Sequence, residues 1–209
     1  MQHKDYYRRN LPHFTPEHAV YFVTTRLADS LPVSVTAKLK QDYLDLVERR
    51  KNEPNLDPEI LRRLSKRYIV EIDKALDACA MGPKWLAQYS VCQALQNEIA
   101  KLEQEGVIEV WCYSIMPNHL HIVFTLKNGE LSHGMQLLKG RSSIVANRIL
   151  ERHGSFWQHE SYDHILRQSE FERLVRYVLL NPVKAGLVDR CEIWPGNYLR
   201  PHSIEISAS

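Results

Sequence analysis

Met116-Pro117-Asn118-His119-Leu120-His121-Ile122-Val123-Phe124-Thr125-Leu126 is the stretch on which the fold turns. Met116-Pro117-Asn118 interrupts an extended run that begins at Ile108, and a second run resumes at His119. Two short apolar runs around a tight break predict adjacent strands over Ile108 to Ile115 and His119 to Leu126. Strand side chains alternate between faces, so Leu120, Ile122, Phe124 and Leu126 share one face while His119 and His121 share the other. The apolar face predicts helices packed upon it. The histidine face is left for another task.

Working outward, Tyr21-Phe22-Val23-Thr24-Thr25 reads as an earlier strand, broken by Leu31-Pro32. From about Val35 to Gln96 the pattern is helical and rich in charge, and Leu61, Leu64, Tyr68 and Ile72 recur as on one buried helix face. Basic residues there alternate with acids such as Asp42, Asp45, Glu48 and Glu71, which predicts a solvated helical surface. Downstream, a helix is expected from Leu131 to about His153, carrying Lys139, Arg141, Arg148 and Arg152 against the single acid Glu151. Trp157 to Arg167 reads as extended. Ser169 and Glu172 have capping-box spacing, and Phe171, Leu174, Val175, Val178 and Leu179 follow at helical intervals until Pro182 limits the helix near Asn181.

Composition sets the bounds. At 209 residues, 44% hydrophobic and 25% charged, the chain can build one cored domain with an insertion. A net charge of +2 does not announce a nucleic-acid partner, so charge has to be read locally. The longest apolar runs fall far short of the ~20 residues of a bilayer crossing, and Met1 to Arg9 has no apolar signal core, so a cytoplasmic protein without membrane contact is expected. Cys79, Cys92, Cys112 and Cys191 form no Cys-x-x-Cys pair and read as reduced, packed thiols.

Two imidazoles two residues apart on a strand can converge on one metal ion, or they can be ordinary hydrogen-bonded histidines. On a helical wheel Tyr177 lies well over roughly 90° from the centre of its helix's apolar stripe, and Asn181 follows one turn later along the same edge. Tyr177 is therefore either an amphipathic boundary residue or a nucleophile. A phenol titrates near pH ~10, so nucleophilic use requires a neighbouring metal or base. Asn181 is either an ordinary helix terminator or a partner of that site.

Met116-Pro117-Asn118-His119-Leu120-His121 resembles the His-hydrophobic-His motif of the HUH single-strand endonucleases in their transposase branch. Tyr177-Val178-Leu179-Leu180-Asn181-Pro182-Val183-Lys184-Ala185-Gly186-Leu187-Val188 resembles the tyrosine helix of REP-associated tyrosine transposases, relatives of the single-tyrosine insertion-sequence transposases. Phe156-Trp157-Gln158 and Tyr162-Asp163-His164 are also similar to that family. The similarity covers Tyr21 to Arg26 and about Glu109 to Tyr198, leaving about 36–96 as a helical insertion in a single catalytic domain.

The resemblance implies an α+β fold, a ferredoxin-like α/β sandwich with a central antiparallel sheet, paired histidines on a central strand and the tyrosine helix against it. It further implies that His119 and His121 bind Mg²⁺ or Mn²⁺, that Asn181 is a third ligand, and that Tyr177 attacks single-stranded DNA beside a hairpin to give a 5′-phosphotyrosine. Lys139, Arg141, Ser142, Ser143, Asn147 and Arg148 on the positive helix are expected to contact DNA. Trp157 reads as a buried structural residue in preference to a base-stacking platform. Such enzymes act as monomers or homodimers. The competing readings are a catalytically inactive hairpin-binding descendant and a metal-dependent hydrolase using the histidines alone. The hydrolase is disfavoured because no acidic motif stands out nearby.

Overall fold

A computed structural model of the chain describes residues 19–35, 37, 38, 41, 45, 48, 52, 70–78, 82–201 and 203. Its centre is a five-stranded antiparallel sheet of β1 (Val20–Leu27), β2 (Ile108–Ile115), β3 (His119–Leu126), β4 (Trp157–Ile165) and β5 (Asn197–Leu199). The strand order is β4-β1-β3-β2-β5, which puts the histidine strand in the middle. The break at Met116-Pro117-Asn118 is a true hairpin, since β2 and β3 pair antiparallel from Ile108 opposite Leu126 to Ile115 opposite Leu120. On its other side β3 pairs with β1, with Thr24 opposite His121.

All eight residues of β3 are buried, so both faces of the sheet are covered. Leu120, Ile122, Phe124 and Leu126 point into the larger core, against α1 (Tyr89–Gln104) and α2 (Leu131–Ile149). Each of these helices turns an apolar stripe inward: Val91, Leu95, Ile99 and Leu102 from the first, Leu131, Met135 and Leu138 from the second. α1 begins inside the range expected for the insertion yet belongs to this main core. On the opposite face Phe22, Cys112 and Val123 meet Val175, Val178 and Leu179 of α3 (Phe171–Leu179). This is the α+β sandwich that the resemblance implies, with helices on the apolar face of β3 as its alternation predicts.

Local details differ from expectation. α2 stops at Ile149, short of His153, because Glu151 takes a left-handed conformation (φ 50°) and the Arg152 N–H turns back to the Asn147 carbonyl at 2.9 Å. Ser169 does not cap α3. It sits inside a 3-10 turn, Gln168–Glu170, and Glu170 reaches back to the Arg167 N–H at 3.3 Å. Pro182 does not end the helical run either. A short helix α4 (Asn181–Lys184) restarts with the proline in its first turn, where the missing N–H is not needed. At the end of β2, Gly196 lies so close to the Ile115 carbonyl that a Cβ there would come within 2.4 Å of its oxygen.

Leu61, Leu64, Tyr68, Cys79 and most of 36–96 lie outside the described residues. Ile72 is fully buried, with Leu31 and Leu76, on a helical segment at 70–77. Cys92, Cys112 and Cys191 are buried free thiols. Among the described residues no helix is long and apolar enough to cross a membrane.

Candidate active site

His119 and His121 are both 0% exposed, and their Nε2 atoms face each other at 3.0 Å. The outer nitrogen of each ring is already engaged. His119 Nδ1 lies 2.7 Å from Asn118 Oδ1, and His121 Nδ1 lies 2.8 Å from Thr24 Oγ1. An amide oxygen only accepts, so His119 Nδ1 carries the proton and its Nε2 is a bare lone pair. Burial drives both imidazoles toward the neutral form: His121 is lowered to about 3 by burial and by the Lys184 charge, and His119 is lowered by burial and its neighbour. Two neutral nitrogens are thus turned toward one spot with their backs held, the arrangement in which imidazoles ligate metals.

α3 and α4 bring the tyrosine edge to that spot. Asn181 is 0% exposed and its Nδ2 stands 3.1 Å from His121 Nε2, while its Oδ1 has no partner. A half-turn of the amide presents Oδ1 to the pair instead. The Tyr177 ring packs edge-on to Phe22 and His121, at centroid distances of 6.4 and 6.0 Å. The Lys184 ammonium sits 4.2 Å over the Tyr177 ring centroid.

Two further residues complete the cluster, and the reading of the sequence missed both. Asp73 and Asp77 descend from the 70–77 segment, each with a carboxylate oxygen 4.0 Å from one imidazole: Asp73 from His121 Nε2 and Asp77 from His119 Nε2. The Tyr177 hydroxyl donates to Asp73 Oδ2 at 2.5 Å. Burial raises Asp73 to about 7, and burial with the adjacent Asp73 raises Asp77 to about 6. Burial, the Asp73 charge and the hydrogen bond to it hold the Tyr177 phenol above its ordinary value. The signal was present in Ile72-Asp73 and Leu76-Asp77, where each acid directly follows a core residue one turn from the other. Asn118 ties this helix to the histidine strand, since its Nδ2 donates to the Leu76 carbonyl at 3.1 Å.

The residues fit a divalent ion. An octahedral site with metal–ligand bonds of ~2.1 Å places neighbouring ligand atoms about 3.0 Å apart, the separation of the two imidazole nitrogens. Around them, Asp73 Oδ1, Asp77 Oδ1 and Asn181 Oδ1 are buried oxygens without a hydrogen-bond partner. Buried polar atoms are rarely left unmatched, and a cation is what these oxygens and lone pairs lack in common. Among the described residues no three His, Cys, Asp or Glu side chains form a finished metal cluster. Asn181 stands beside His121 from α4, and each carboxylate has an oxygen 4.0 Å from one imidazole Nε2.

The expected DNA contacts do not gather at this site. Lys139 donates to the Gln158 and His159 carbonyls and to Ser161 Oγ, at 2.7, 2.8 and 3.2 Å. Arg141 pairs with Glu105. Ser142 is buried beneath Trp157, whose Nε1 donates to its Oγ at 2.9 Å. Ser143 donates to the Lys139 carbonyl, and Asn147 bonds Gly154 and Arg152. Only Arg148 of the six is exposed without a described partner. Without DNA, much of this positive stretch is engaged within the fold, where Lys139 and Arg141 tie α2 to β4 and to the end of α1. Trp157 is a structural residue, as expected.

A family model described as "Transposase IS200 like" matches residues 83–180, a span that holds both histidines and the tyrosine but neither Asp73 nor Asp77. A REP-associated tyrosine transposase of Escherichia coli (strain K12) is 25% identical over 104 residues, 49% of this chain and 61% of that protein. Over its matched part the chain is similar to the REP-associated tyrosine transposases. The solved structure of a REP-associated tyrosine transposase bound to a REP hairpin superposes with a TM-score of 0.50 over 87% of this chain and 76% of that one. At 17% identity that likeness establishes the shared transposase fold. The match to the curated relative spans about three-fifths of its length.

Proposed function

We propose that this chain is a metal-dependent single-stranded DNA endonuclease and transesterase, a transposase that cleaves and rejoins DNA beside hairpins through a 5′-phosphotyrosine. The observation that carries the reading is the meeting, within one buried cluster, of the His119–His121 nitrogens, Asn181 and the Tyr177 hydroxyl. These groups come from two motifs far apart in sequence and share no packing purpose that requires polar atoms. The chain is read as a single catalytic domain with a helical insertion at about 36–96, working in the cytoplasm on single-stranded or hairpin DNA.

In this chemistry the Tyr177 oxygen attacks the phosphorus of a phosphodiester. The new Tyr–O–P bond forms as the bond to the 3′ oxygen breaks, and that oxygen leaves as a 3′-hydroxyl, taking up a proton. The downstream strand stays attached through its 5′ phosphate. A 3′-hydroxyl attacking the phosphotyrosine reverses the step with no net change in bond count, so ATP is not needed. His119, His121 and Asn181 would hold Mg²⁺ or Mn²⁺, which when bound offsets the negative charge of the phosphate. Thr24 and Asn118 fix the two imidazoles in the neutral, ligating orientation. Lys184 favours negative charge on the Tyr177 oxygen as its proton leaves. Phe22 and Val178 keep bulk water from the inner face of the site.

The test is to mix the protein with Mn²⁺ or Mg²⁺ and single-stranded DNA from both flanks of its gene, then run denaturing gels and intact-mass analysis. A covalent adduct lost in Tyr177→Phe is the expected result. A covalent adduct that survives in Tyr177→Phe removes the tyrosine assignment, and tight hairpin binding with no adduct removes the transesterase in favour of a DNA-binding descendant.

A further inference from the structure

Asp73 and Asp77 lie outside the residues that match the family model, on the helical segment at 70–77, each with a carboxylate oxygen 4.0 Å from one imidazole of the histidine pair. Their side chains are 2% and 22% exposed. Asp73 uses one oxygen for the Tyr177 hydroxyl and leaves the other, Oδ1, without a partner beside His121. Asp77 leaves its Oδ1 in the same condition beside His119. Asn181, fully buried, has a third unpartnered oxygen on the amide whose Nδ2 stands beside His121. Two neighbouring carboxylates sunk into a partly closed site repel each other and lose hydration, and the single charge of Lys184 is shared between them.

The segment that carries them is firmly placed. Ile72 and Leu76 are 0% exposed against Leu31, and the Leu76 carbonyl is held by Asn118, the same residue that orients His119. The acids therefore reach the site on a helix anchored to the histidine strand itself.

We propose that Asp73 and Asp77 are additional ligands of the divalent ion, so that the insertion completes a site which the sheet and the tyrosine helix leave two donors short. This deepens the transposase reading and rests on it. The full donor set is then two imidazoles, one amide oxygen and two carboxylates. Hard carboxylate and amide oxygens suit Mg²⁺ and Mn²⁺, with their six-coordinate preference, better than a four-coordinate zinc site. Asp73 has a second part as a positioning residue: with one oxygen on the ion and the other on the Tyr177 hydroxyl, it sets the nucleophile at a fixed place relative to the ion.

The rival is a purely structural cover, in which Ile72 and Leu76 pack and the acids are incidental. Mn²⁺ titration of the full chain without DNA separates the two, read by calorimetry and by the Mn²⁺ electron spin resonance signal. Wild type is compared with Asp73→Asn, Asp77→Asn, the double variant and His121→Ala. Each single Asn substitution is expected to weaken Mn²⁺ binding by about 10–100-fold, and the double to reach the level of His121→Ala. Melting in EDTA verifies that each variant is folded. Asp77→Asn, at the more exposed position, carries the test if Asp73→Asn does not fold. Tyr177→Phe is expected to keep Mn²⁺ affinity within a few fold, because it removes no ligand. Wild-type affinity in all three Asn variants, with loss in His121→Ala, overturns the added ligands and leaves the transposase reading intact. If wild type and His121→Ala bind Mn²⁺ equally, the metal site falls and this inference with it, while adduct formation on DNA still judges the tyrosine chemistry.

Discussion

Asn118→Ala cuts the link between the histidine strand and the helix above it. The Asn118 side chain is buried (1% exposed), and it accepts from His119 Nδ1 at 2.7 Å and donates to the Leu76 carbonyl at 3.1 Å. Its backbone is pinned separately, since its carbonyl accepts from the Leu27 N–H at 2.8 Å, so truncation leaves the hairpin in place. Two buried polar groups then lose their partners. At about 1–3 kcal/mol for each unsatisfied group, the loss comes to about 2–6 kcal/mol, a large share of an ordinary domain's stability. The His119 proton also loses the acceptor that keeps it on Nδ1 and can move to Nε2, closing the lone pair that faces His121. Urea unfolding measures the first effect, and imidazole ¹⁵N spectra of the wild type and variant report the second. Asn118→Asp keeps the acceptor and loses the donor, so it should fall between them. A loss below about 1 kcal/mol in Asn118→Ala, or a wild-type His119 protonated on Nε2, would refute the reasoning.

Three other outcomes follow from the same geometry. Thr24→Val, nearly isosteric, leaves the buried His121 Nδ1 unpaired and should lower Mn²⁺ affinity about 10–100-fold with little change in fold, measured by calorimetry and circular dichroism. Gly196→Ala drives a methyl to within 2.4 Å of the Ile115 carbonyl oxygen and should detach β5 from β2, seen as a fall in melting temperature and loss of amide protection at Ile115. Burial lowers Lys139 to about 8, below its unfolded value of 10.5. The folded state then binds fewer protons than the unfolded state between those values, so this group's contribution to stability rises with pH across that window. Subtracting the pH profile of Lys139→Met from that of wild type should isolate this rise, and a flat difference would remove the assignment.

The sheet and half of the site were legible because they rest on short-range rules. Alternation around Met116-Pro117-Asn118 located β2 and β3 to the residue, and the helical interval between Tyr177 and Asn181 placed both on the edge that meets His121. Asp73 and Asp77 were not legible in that way. Neither was singled out among the charges of the helical region, and charge balance along a helix does not say which turn a distant strand will bury. On α2 the sequence likewise does not show that Lys139, Arg141 and Asn147 bond the Gln158 and His159 carbonyls, Glu105 and Gly154. Ser169 and Glu172 had the right spacing for a cap, yet the 3-10 turn set by Glu170 took the position first.

The distance along the chain between the parts of the cluster has a consequence during synthesis. Thr24 and His121 are 97 residues apart, Asp73 and Tyr177 104, and His121 and Asn181 60. Contacts of that span form late, after the loops between them have closed. A nascent chain emerging from the ribosome up to Glu170 already carries both imidazoles and both acids, but neither the nucleophile nor Asn181. On the proposed chemistry, cutting therefore waits for the segment that brings Tyr177 and Asn181 to Asp73 and His121.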